Sequence, residues 1–223
     1  ALDRDSFNQL SKLDHFDGQH WTQINGPGVK TEALRATAQE LHVFGDGVFH
    51  LSGTTWVAET VPGPATWLEY SDVGNDIFLV GNDYTTTPST PRLAKRQAGT
   101  WSAIPAPATQ TVCGIAALSA NDIWVTGQDR DPNTFVYQAT ISHWDGATWT
   151  ITKPANVTSA CAIIANAGEI WVAGTGNGSI LRRATNGTWT TLNGAALGDI
   201  RALVVDATGA VWASGDNGVI MHR

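Results

Sequence analysis

The chain repeats a short hairpin-like pattern, and this repetition restricts the fold more than any other feature of the sequence. In residues 140–150 (TISHWDGATWT) an aliphatic residue, a basic residue, a turn containing Gly and a Trp follow one another at fixed spacing. Five copies place the basic residue six positions before the Trp, at His15/Trp21, His50/Trp56, Lys95/Trp101, His143/Trp149 and Arg183/Trp189. Alternation of side chains around Asp145-Gly146 predicts a β-hairpin with a tight type I′ turn, in which both central residues have positive φ.

A second strand pattern lies before the later hairpins, and each copy of it ends in glycine. The copies are 41–45, 77–81, 123–127, 170–174 and 211–215. A small, apolar stretch precedes this strand, and a turn rich in Asn, Asp and Gly separates the two. Residues 31–41 also take this first-strand position despite a weak helical pattern. Each repeat therefore predicts four short strands. The hairpin Trp residues are 35, 45, 48 and 40 positions apart, which is the period of a β-propeller blade.

The number of blades follows from counting the two halves of the repeat, because each half occurs five times. The sequence predicts an all-β protein, a propeller of five four-stranded blades in a single domain over residues 1–223. We expect the N- and C-terminal strands to overlap and close the ring. One feature disagrees with this count, because residues 12–16 and 219–223 are both candidates for the same third strand. Either one of them is displaced or the chain is part of a larger ring.

Composition and charge argue against some classes of partner. The formal net charge is −7, the pI is near 5.2 and the 13 Lys and Arg residues are scattered, whereas binding to nucleic acid needs a clustered basic surface. No segment approaches the roughly 18 consecutive apolar residues of a membrane span. The abundance of Gly, Thr and Asn and the low Lys content favour a secreted or periplasmic bacterial protein.

The two cysteines occupy nearly equivalent first strands of successive repeats. Cys113 and Cys161 lie 11 and 10 residues before Trp124 and Trp171. First strands line the central channel of a propeller, and a disulfide bond there requires Cα atoms within about 7 Å. The alternative is that both are small apolar residues filling the inner ring. They have no His or Asp at metal-binding spacing, so the sequence predicts no metal site and no cofactor.

The repeats resemble those of bacterial secreted β-propeller proteins. The last repeat follows the pattern D-x-x-G-x-V/L-W-x-x-G-x-x-G-x-I/V-x-R through Asp206, Gly209, Val211, Trp212, Gly215, Gly218 and Ile220. Residues 121–149 are similar to the W-x-x-G…I-x-H-W-D-G-x-x-W repeats of two-component-regulator and tectonin-like propellers. The resemblance covers almost the whole chain but departs from the pattern where His42 and Phe78 replace the second-strand Trp. It implies a propeller fold without specifying a function, because such repeats occur in sensor ectodomains, lectins and assembly factors alike.

Aromatic and basic residues at repeated positions are the first candidates for ligand binding. They are Trp124, Trp171, Trp212, Trp149, Trp189, His143 and Arg183. In a structural role, the large rings would fill the wedge between adjacent blades, and the basic groups would bond to backbone carbonyls or Asp. In a functional role, the rings would line shallow pockets between blades and stack on a sugar, while polar side chains bond its hydroxyl groups. Repeated weak sites of this kind bind a surface glycan by avidity.

The loops after the second strands are acidic and are expected on one face of the ring. Asp129 and Asp216 are their candidate ligand-binding residues. No loop has three acidic residues at EF-hand-like spacing, so calcium is not predicted. Two insertions, 83–91 and 129–137, break the repeat on this face. A departure from symmetry is where we expect a function that the other blades lack.

These observations predict a non-catalytic binding module with carbohydrate as its first ligand class. The alternative is a protein-interaction or scaffold propeller that uses the loop face, and the third possibility is a hydrolase acting on glycans. An enzyme is disfavoured because only Glu32 and Glu69 lie near the first strands, where a glycosidase needs a carboxylate pair. No Ser has a G-x-S-x-G context, and the His residues repeat along the chain instead of clustering.

Overall fold

A computed structural model shows a chain built almost entirely from β-strands. It describes residues 2–4, 10–37, 40–175, 178–193, 198–218 and 220–222. Within these ranges the only helical element is a 3₁₀ turn at Asp216–Gly218. None of the helical structure described is long and apolar enough to cross a membrane.

The strands form six antiparallel sheets, and each sheet uses consecutive strands in chain order. Sheet 1 contains β1 (Leu2–Arg4), β2 (Leu10–Phe16) and β3 (Trp21–Asn25). Sheet 2 contains β4 (Thr31–Ala36), β5 (Leu41–Gly45), β6 (Val48–Ser52) and β7 (Thr55–Glu59). Sheet 3 contains β8 (Thr66–Val73), β9 (Asp76–Asp83), β10 (Thr90–Gln97) and β11 (Thr100–Ile104).

The second half of the chain continues the same arrangement. Sheet 4 contains β12 (Thr111–Ser119), β13 (Asp122–Arg130), β14 (Tyr137–Trp144) and β15 (Trp149–Thr152). Sheet 5 contains β16 (Ser159–Asn166), β17 (Glu169–Thr175), β18 (Ser179–Arg183) and β19 (Trp189–Asn193). Sheet 6 contains β20 (Ile200–Val205), β21 (Val211–Gly215) and β22 (Ile220–His222). The predicted four-strand repeat is therefore confirmed in sheets 2 to 5.

The terminal strands do not overlap as predicted. Strand β2 pairs with β1 on one side and β3 on the other, whereas β22 pairs with β21. Each of the two competing third strands thus has its own neighbours, and the described residues show no pairing between sheets 1 and 6. The described part of the chain forms six sheets, whereas the sequence count predicted five blades. Residues 219 and 223 of the predicted last strand lie outside the described residues.

Apolar clusters fill the spaces between consecutive sheets from sheet 2 to sheet 6. Side chains alternate along a strand, so the second strand of an inner sheet contributes to two clusters. In β9, Ile77 and Leu79 pack toward sheet 2, while Phe78 and Val80 pack toward sheet 4. Both faces of these strands are buried, which explains why the second-strand segments are apolar throughout.

A β-bulge interrupts the first strand of sheets 2 to 6 at one equivalent position. The bulged residues are Glu32, Leu68, Cys113, Cys161 and Arg201. The facing second strand has a glycine at the equivalent position, at Gly45, Gly81, Gly127, Gly174 and Gly215. A Cβ atom on any of these glycines would overlap the carbonyl oxygen two residues before the bulge. The repeated glycine is therefore required by the close approach of the two backbones.

Cys113 and Cys161 form a disulfide bond between the first strands of sheets 4 and 5. Their Cα atoms are 5.2 Å apart. Both are the bulged residues of their strands, and β12 and β16 lie beside one another. Of the two alternatives left open by the sequence, the structure shows the bonded one.

The turn at Asp145-Gly146 is wider than predicted. Residues 145–148 connect β14 to β15, and only Gly146 among them has positive φ. The Asp145 carboxylate accepts two backbone N–H groups across the turn, at 2.9 and 2.7 Å. The type I′ prediction was wrong here because the Asp side chain closes a four-residue turn. Ala98-Gly99 has positive φ at both residues, 49° and 79°, as a type I′ turn requires.

Candidate functional site

A cleft with a volume of about 960 Å³ lies where the two insertions meet. The connections β9–β10, β11–β12, β13–β14 and β15–β16 supply its lining residues, so it belongs to sheets 3 and 4. The repeat is irregular in the first and third of these connections. The sequence predicted a distinctive function at these insertions, and the structure brings both of them to the same cleft.

Asp129, a predicted site residue, joins three of the walls of this cleft. Its Oδ1 accepts the backbone N–H of Gln110 at 2.8 Å, and its Oδ2 lies 2.8 Å from Lys153 Nζ. The Gln110 side chain in turn accepts the N–H of Arg130 at 2.8 Å and donates to the Arg130 carbonyl at 2.9 Å. These contacts fix the positions of the walls relative to one another.

Three consecutive exposed residues form a lip beside the cleft: Val136 and Tyr137 line it, and Phe135 precedes them. Their side chains are 46 to 60% exposed, which is high for large apolar groups. The Arg130 guanidinium lies 4.6 Å from the ring centre of Phe135 and 5.7 Å from that of Tyr137. Arg130 therefore contacts both rings from the cleft side of the strand pair.

The loop that carries this lip is closed by its own backbone and by Asp131. The Asp131 carboxylate accepts the N–H groups of Thr134 and Asn133, each at 2.8 Å, and these bonds hold its pKa below the usual range. Phe135 donates its N–H to the Asp131 carbonyl at 2.9 Å and has a φ of 60°. The lip thus has a defined shape and does not fold into the core.

Three predicted site residues, Trp124, His143 and Arg183, meet between sheets 4 and 5. The Trp124 ring is 5% exposed and stacks on the His143 ring, with 4.0 Å between ring centres and 13° between planes. The Arg183 guanidinium lies 4.8 Å from the Trp124 ring centre. Trp124 Nε1 and His143 Nε2 each lie 2.9 Å from Asp122 Oδ1. In this structure the Trp124 ring is covered by protein.

The hairpin Trp residues connect neighbouring sheets through their indole N–H groups. Trp56 donates to the Asn25 carbonyl at 2.6 Å, Trp149 donates to the Pro105 carbonyl at 2.8 Å, and Trp101 donates to the Glu59 carboxylate. Each acceptor lies in or just after the last strand of the preceding sheet. Trp189 also packs between sheets, with its ring edge toward Trp124 at 5.9 Å. These contacts match the structural role considered for the repeated Trp residues.

The remaining predicted residues lie near the C-terminus. Trp171 is buried below the Arg182 guanidinium, 5.4 Å from its ring centre. Trp212 is half-buried and lines a small, mostly apolar cleft of about 250 Å³. Asp216 binds Arg201 through two bonds of 3.0 and 2.9 Å, and this partner lowers the pKa of Asp216. The structure therefore does not bring these residues together with Asp129.

Arg183 is one residue out of register with the other basic residues of its column. His143 lies opposite Trp124, but Trp171 lies opposite Arg182. The turn from β18 to β19 spans residues 184–188 and is one residue longer than the turn of residues 145–148. A fixed six-residue spacing from the Trp therefore selects Arg183, whereas the structurally equivalent residue is Arg182, which pairs with Glu169.

A polar cluster that the sequence did not predict lies between sheets 2 and 3. His42 Nε2 and His50 Nδ1 lie 3.2 and 2.8 Å from the same atom, Glu59 Oε1. Burial raises the pKa of Glu59, but bonds from His42 and Trp101 and the charge of Arg96 outweigh it and lower the pKa to about 2. The expectation that His residues repeat without clustering was wrong for this pair. Replacement of the second-strand Trp by His42 was the available sequence signal.

Comparison with known proteins identifies the fold. No family pattern and no curated protein sequence matches the chain. Among solved structures, the Aleuria aurantia lectin, a six-bladed β-propeller with a fucose recognition mode, is 13% identical, with a TM-score of 0.59 over 99% of this chain and 88% of the lectin. A gluconolactonase from Xanthomonas campestris is 10% identical, with a TM-score of 0.60 over 95% of this chain and 81% of the enzyme. The fold is that of a β-propeller.

The extracellular domain of a two-component system from B. thetaiotaomicron shows the same likeness. It is 12% identical, with a TM-score of 0.65, and the match covers 100% of this chain but 32% of that one. At such identities the likeness shows the fold alone, and the similar structures include both a lectin and an enzyme. The function therefore has to be argued from the residues of this chain.

Proposed function

We propose that this protein is a non-catalytic binding module that holds a segment of a partner protein in the cleft between sheets 3 and 4. One observation carries this proposal: both insertions that break the repeat line the same cleft, and one of them presents the exposed lip Phe135–Tyr137. Exposed apolar residues grouped beside a cleft are typical of protein-interaction sites. A secreted or periplasmic location and a single domain are part of this proposal.

The chemistry of the cleft suits a peptide segment with an apolar anchor. Aromatic residues and Arg are enriched where proteins bind one another, and the Arg130 guanidinium lies near both rings of the lip. The cleft is also lined by the amides of Gln138 and Asn156, which have the donors and acceptors to bond a peptide backbone. The exposed aliphatic side chain of Val136 favours a protein ligand over a sugar, because a sugar stacks its apolar face on the flat faces of aromatic rings.

Carbohydrate is the second candidate, and one feature of the same cleft favours it. Tyr137 lies beside amide and charged side chains, a combination of an apolar surface with few polar groups that small ligand sites use. The pockets between blades, which the sequence suggested as sugar sites, are less favoured because the Trp124 and Trp171 rings are buried. A hydrolase is disfavoured further because Glu32 pairs with Lys30 at 2.7 Å.

A peptide selection and a glycan array on the same purified protein test this proposal. We expect phage display to yield peptides that bind with saturation. Binding should weaken at least about tenfold in Tyr137→Ala, because truncation of a Tyr that anchors a bound partner has an effect on this scale. Trp21→Ala is the matched control, since Trp21 is an exposed aromatic residue in sheet 1, away from the cleft.

The outcomes separate the candidates. A peptide that binds both variants as tightly as the parent protein contradicts the proposed cleft. A glycan that binds and is lost in Tyr137→Ala, without any selected peptide, establishes the carbohydrate alternative. Circular dichroism of each variant shows that the fold is intact.

A further inference from the structure

Three side chains of sheet 2 direct ligand atoms toward one point beside sheet 3. His42 and His50 lie opposite one another on β5 and β6, and Glu59 ends β7. One nitrogen of each imidazole and one oxygen of the carboxylate all lie within 4.8 Å of one another. The two nitrogen–oxygen separations, 3.2 and 2.8 Å, are near those of donor atoms that each lie about 2.0 to 2.2 Å from one ion.

Neighbouring groups orient the carboxylate. Glu59 Oε2 accepts the indole N–H of Trp101 and lies 3.4 Å from Arg96 Nε. The other oxygen, Oε1, is thereby turned toward the two imidazoles. Carboxylate ligands of metal ions are held by outer hydrogen bonds of this kind.

A second carboxylate lies behind His42. Its Nδ1 is 4.0 Å from Glu40 Oε2, on the side of the ring opposite to Glu59. A carboxylate on the far side of a ligating imidazole fixes the ring and increases its basicity. At 4.0 Å, Glu40 acts on His42 through its charge and not through a hydrogen bond.

The imidazole nitrogens also include buried atoms without a hydrogen bond. Nδ1 of His42 and Nδ1 of His50 have no such partner among the described residues. His50 Nδ1 is 2.8 Å from Glu59 Oε1, yet the angle does not meet the requirement for a hydrogen bond. A buried polar nitrogen left in this state is costly, and a metal ion at the centre of the cluster would remove that cost for His50.

The charge around the cluster accommodates a divalent cation. Arg35 pairs with Asp72 at 2.7 Å and with Glu40 at 3.2 Å, and Arg96 pairs with Glu40 at 3.4 Å. The acidic residues Glu40, Glu59 and Asp72 exceed the two arginines by one negative charge when both imidazoles are neutral. The two arginines therefore compensate two of the three carboxylates. One negative charge remains, and it attracts a cation.

We propose that His42, His50 and Glu59 bind one divalent transition-metal ion, and that zinc is the metal they suit best. Two imidazole nitrogens and one carboxylate oxygen are a ligand set that zinc accepts, with water in a fourth position. Solvent reaches this position on the side of His50, whose side chain is 35% exposed. The site is remote in sequence from the cleft insertions and does not depend on the proposed partner binding.

Cobalt and zinc titrations of the full chain test this site. The protein is first treated with EDTA and exchanged into metal-free buffer. We expect visible absorption bands of four- or five-coordinate Co²⁺ to saturate at about one ion per chain and to disappear when Zn²⁺ is added. His50→Ala and Glu59→Gln should each lower the affinity for Co²⁺ at least about 100-fold, because each removes a direct ligand or its charge.

His143→Ala is the matched control, because His143 occupies the same strand position in sheet 4 and has only one carboxylate, Asp122. It should bind Co²⁺ as the parent protein does. Absence of Co²⁺ bands in folded protein overturns the proposal, as does unchanged affinity in folded His50→Ala. Equal loss in His143→Ala assigns the binding to scattered histidines and also overturns it. Peptide binding in the cleft should be unaffected by EDTA, so the two proposals fail separately.

Discussion

Sheet 4 carries Trp124 where sheet 2 carries His42, at the same position of the second strand. Between sheets 4 and 5 the Trp124 ring packs among aliphatic side chains such as Ile141 and Ile163. Between sheets 2 and 3 the smaller His42 ring faces Glu59, beside Arg96 of the next sheet. Both interfaces contain a buried apolar cluster, and the interface between sheets 2 and 3 adds a group of paired charges to it.

This difference shows that the charged residues between sheets 2 and 3 enter the interface as a set. A buried His, Glu or Arg placed alone between two sheets would leave an uncompensated polar group. Here the carboxylate of Glu59 has partners from both sheets, including the indole of Trp101. The same backbone therefore accepts either one large ring or a complete group of paired side chains.

Removal of the large ring should have the greatest effect. Trp124→Ala leaves a cavity between sheets 4 and 5 and should lower the free energy of unfolding by about 4 kcal/mol. Urea denaturation followed by circular dichroism measures this loss. Trp124→Phe keeps much of the apolar volume and should lose clearly less, so equal losses in the two variants contradict a packing role.

Removal of the shared carboxylate breaks the other interface. Glu59→Ala leaves His42, Arg96 and the Trp101 indole without their common partner, and it should lower the free energy of unfolding by about 3 to 4 kcal/mol. The measurement is made in EDTA, so that metal binding does not contribute. Glu40→Ala is the comparison, since Glu40 is more exposed and should cost less. A larger loss in Glu40→Ala contradicts the central place of Glu59.

The disulfide bond is a covalent difference between the two interfaces. It closes a loop of 48 residues between sheets 4 and 5, and Cys113→Ser/Cys161→Ser should lower the free energy of unfolding by about 3 kcal/mol. Reduction of the parent protein should give a similar loss. If a reducing agent lowers the stability of the double variant as well, the effect is not due to this bond.

The smallest effect is expected at the predicted residue that is out of register. Arg183→Ala removes one cation–π contact with Trp124 and should cost about 0.5 kcal/mol. Arg182→Ala should cost more, because Arg182 contacts Trp171 and also pairs with Glu169. The same denaturation experiment compares the two, and a larger loss for Arg183→Ala contradicts the assigned register.

The strand repeat was predictable because burial between two neighbours leaves a periodic pattern of apolar residues and glycines. Segments such as 123–127 show that pattern within five residues, so it can be recognised without knowledge of the tertiary packing. The separation of sheets 1 and 6 was not predictable, since it depends on which strand β1 joins, and Leu2–Arg4 carries no repeat pattern. The register at Arg183 failed because one added turn residue places the structurally equivalent residue, Arg182, seven positions before Trp189 where a spacing of six was assumed.

The cleft was partly predictable from the sequence, whereas the cluster of His42, His50 and Glu59 was not. The insertion 129–137 indicated the cleft because it departs from the repeat, and Asp129 was identified as part of it. The identity of its opposite wall, including Gln110 and Lys153, requires the packing of separate connections. The meeting of His42 and Glu59 depends on pairing across β5, β6 and β7, which residue types alone do not determine.

In sheets 2 to 6, the glycine of the second strand permits the close approach of the two backbones, and the bulge of the first strand carries a variable residue. Glycines such as Gly127 and Gly174 fix the backbone path, while the bulged residue itself varies from Glu32 to Leu68 to Arg201. The backbone path of each repeat therefore depends on a residue without a side chain. The residue type varies at the bulge on the strand opposite this glycine. The bulged positions can therefore carry different chemical groups without a change in the backbone. The disulfide bond between the bulged residues Cys113 and Cys161 is one example in this chain.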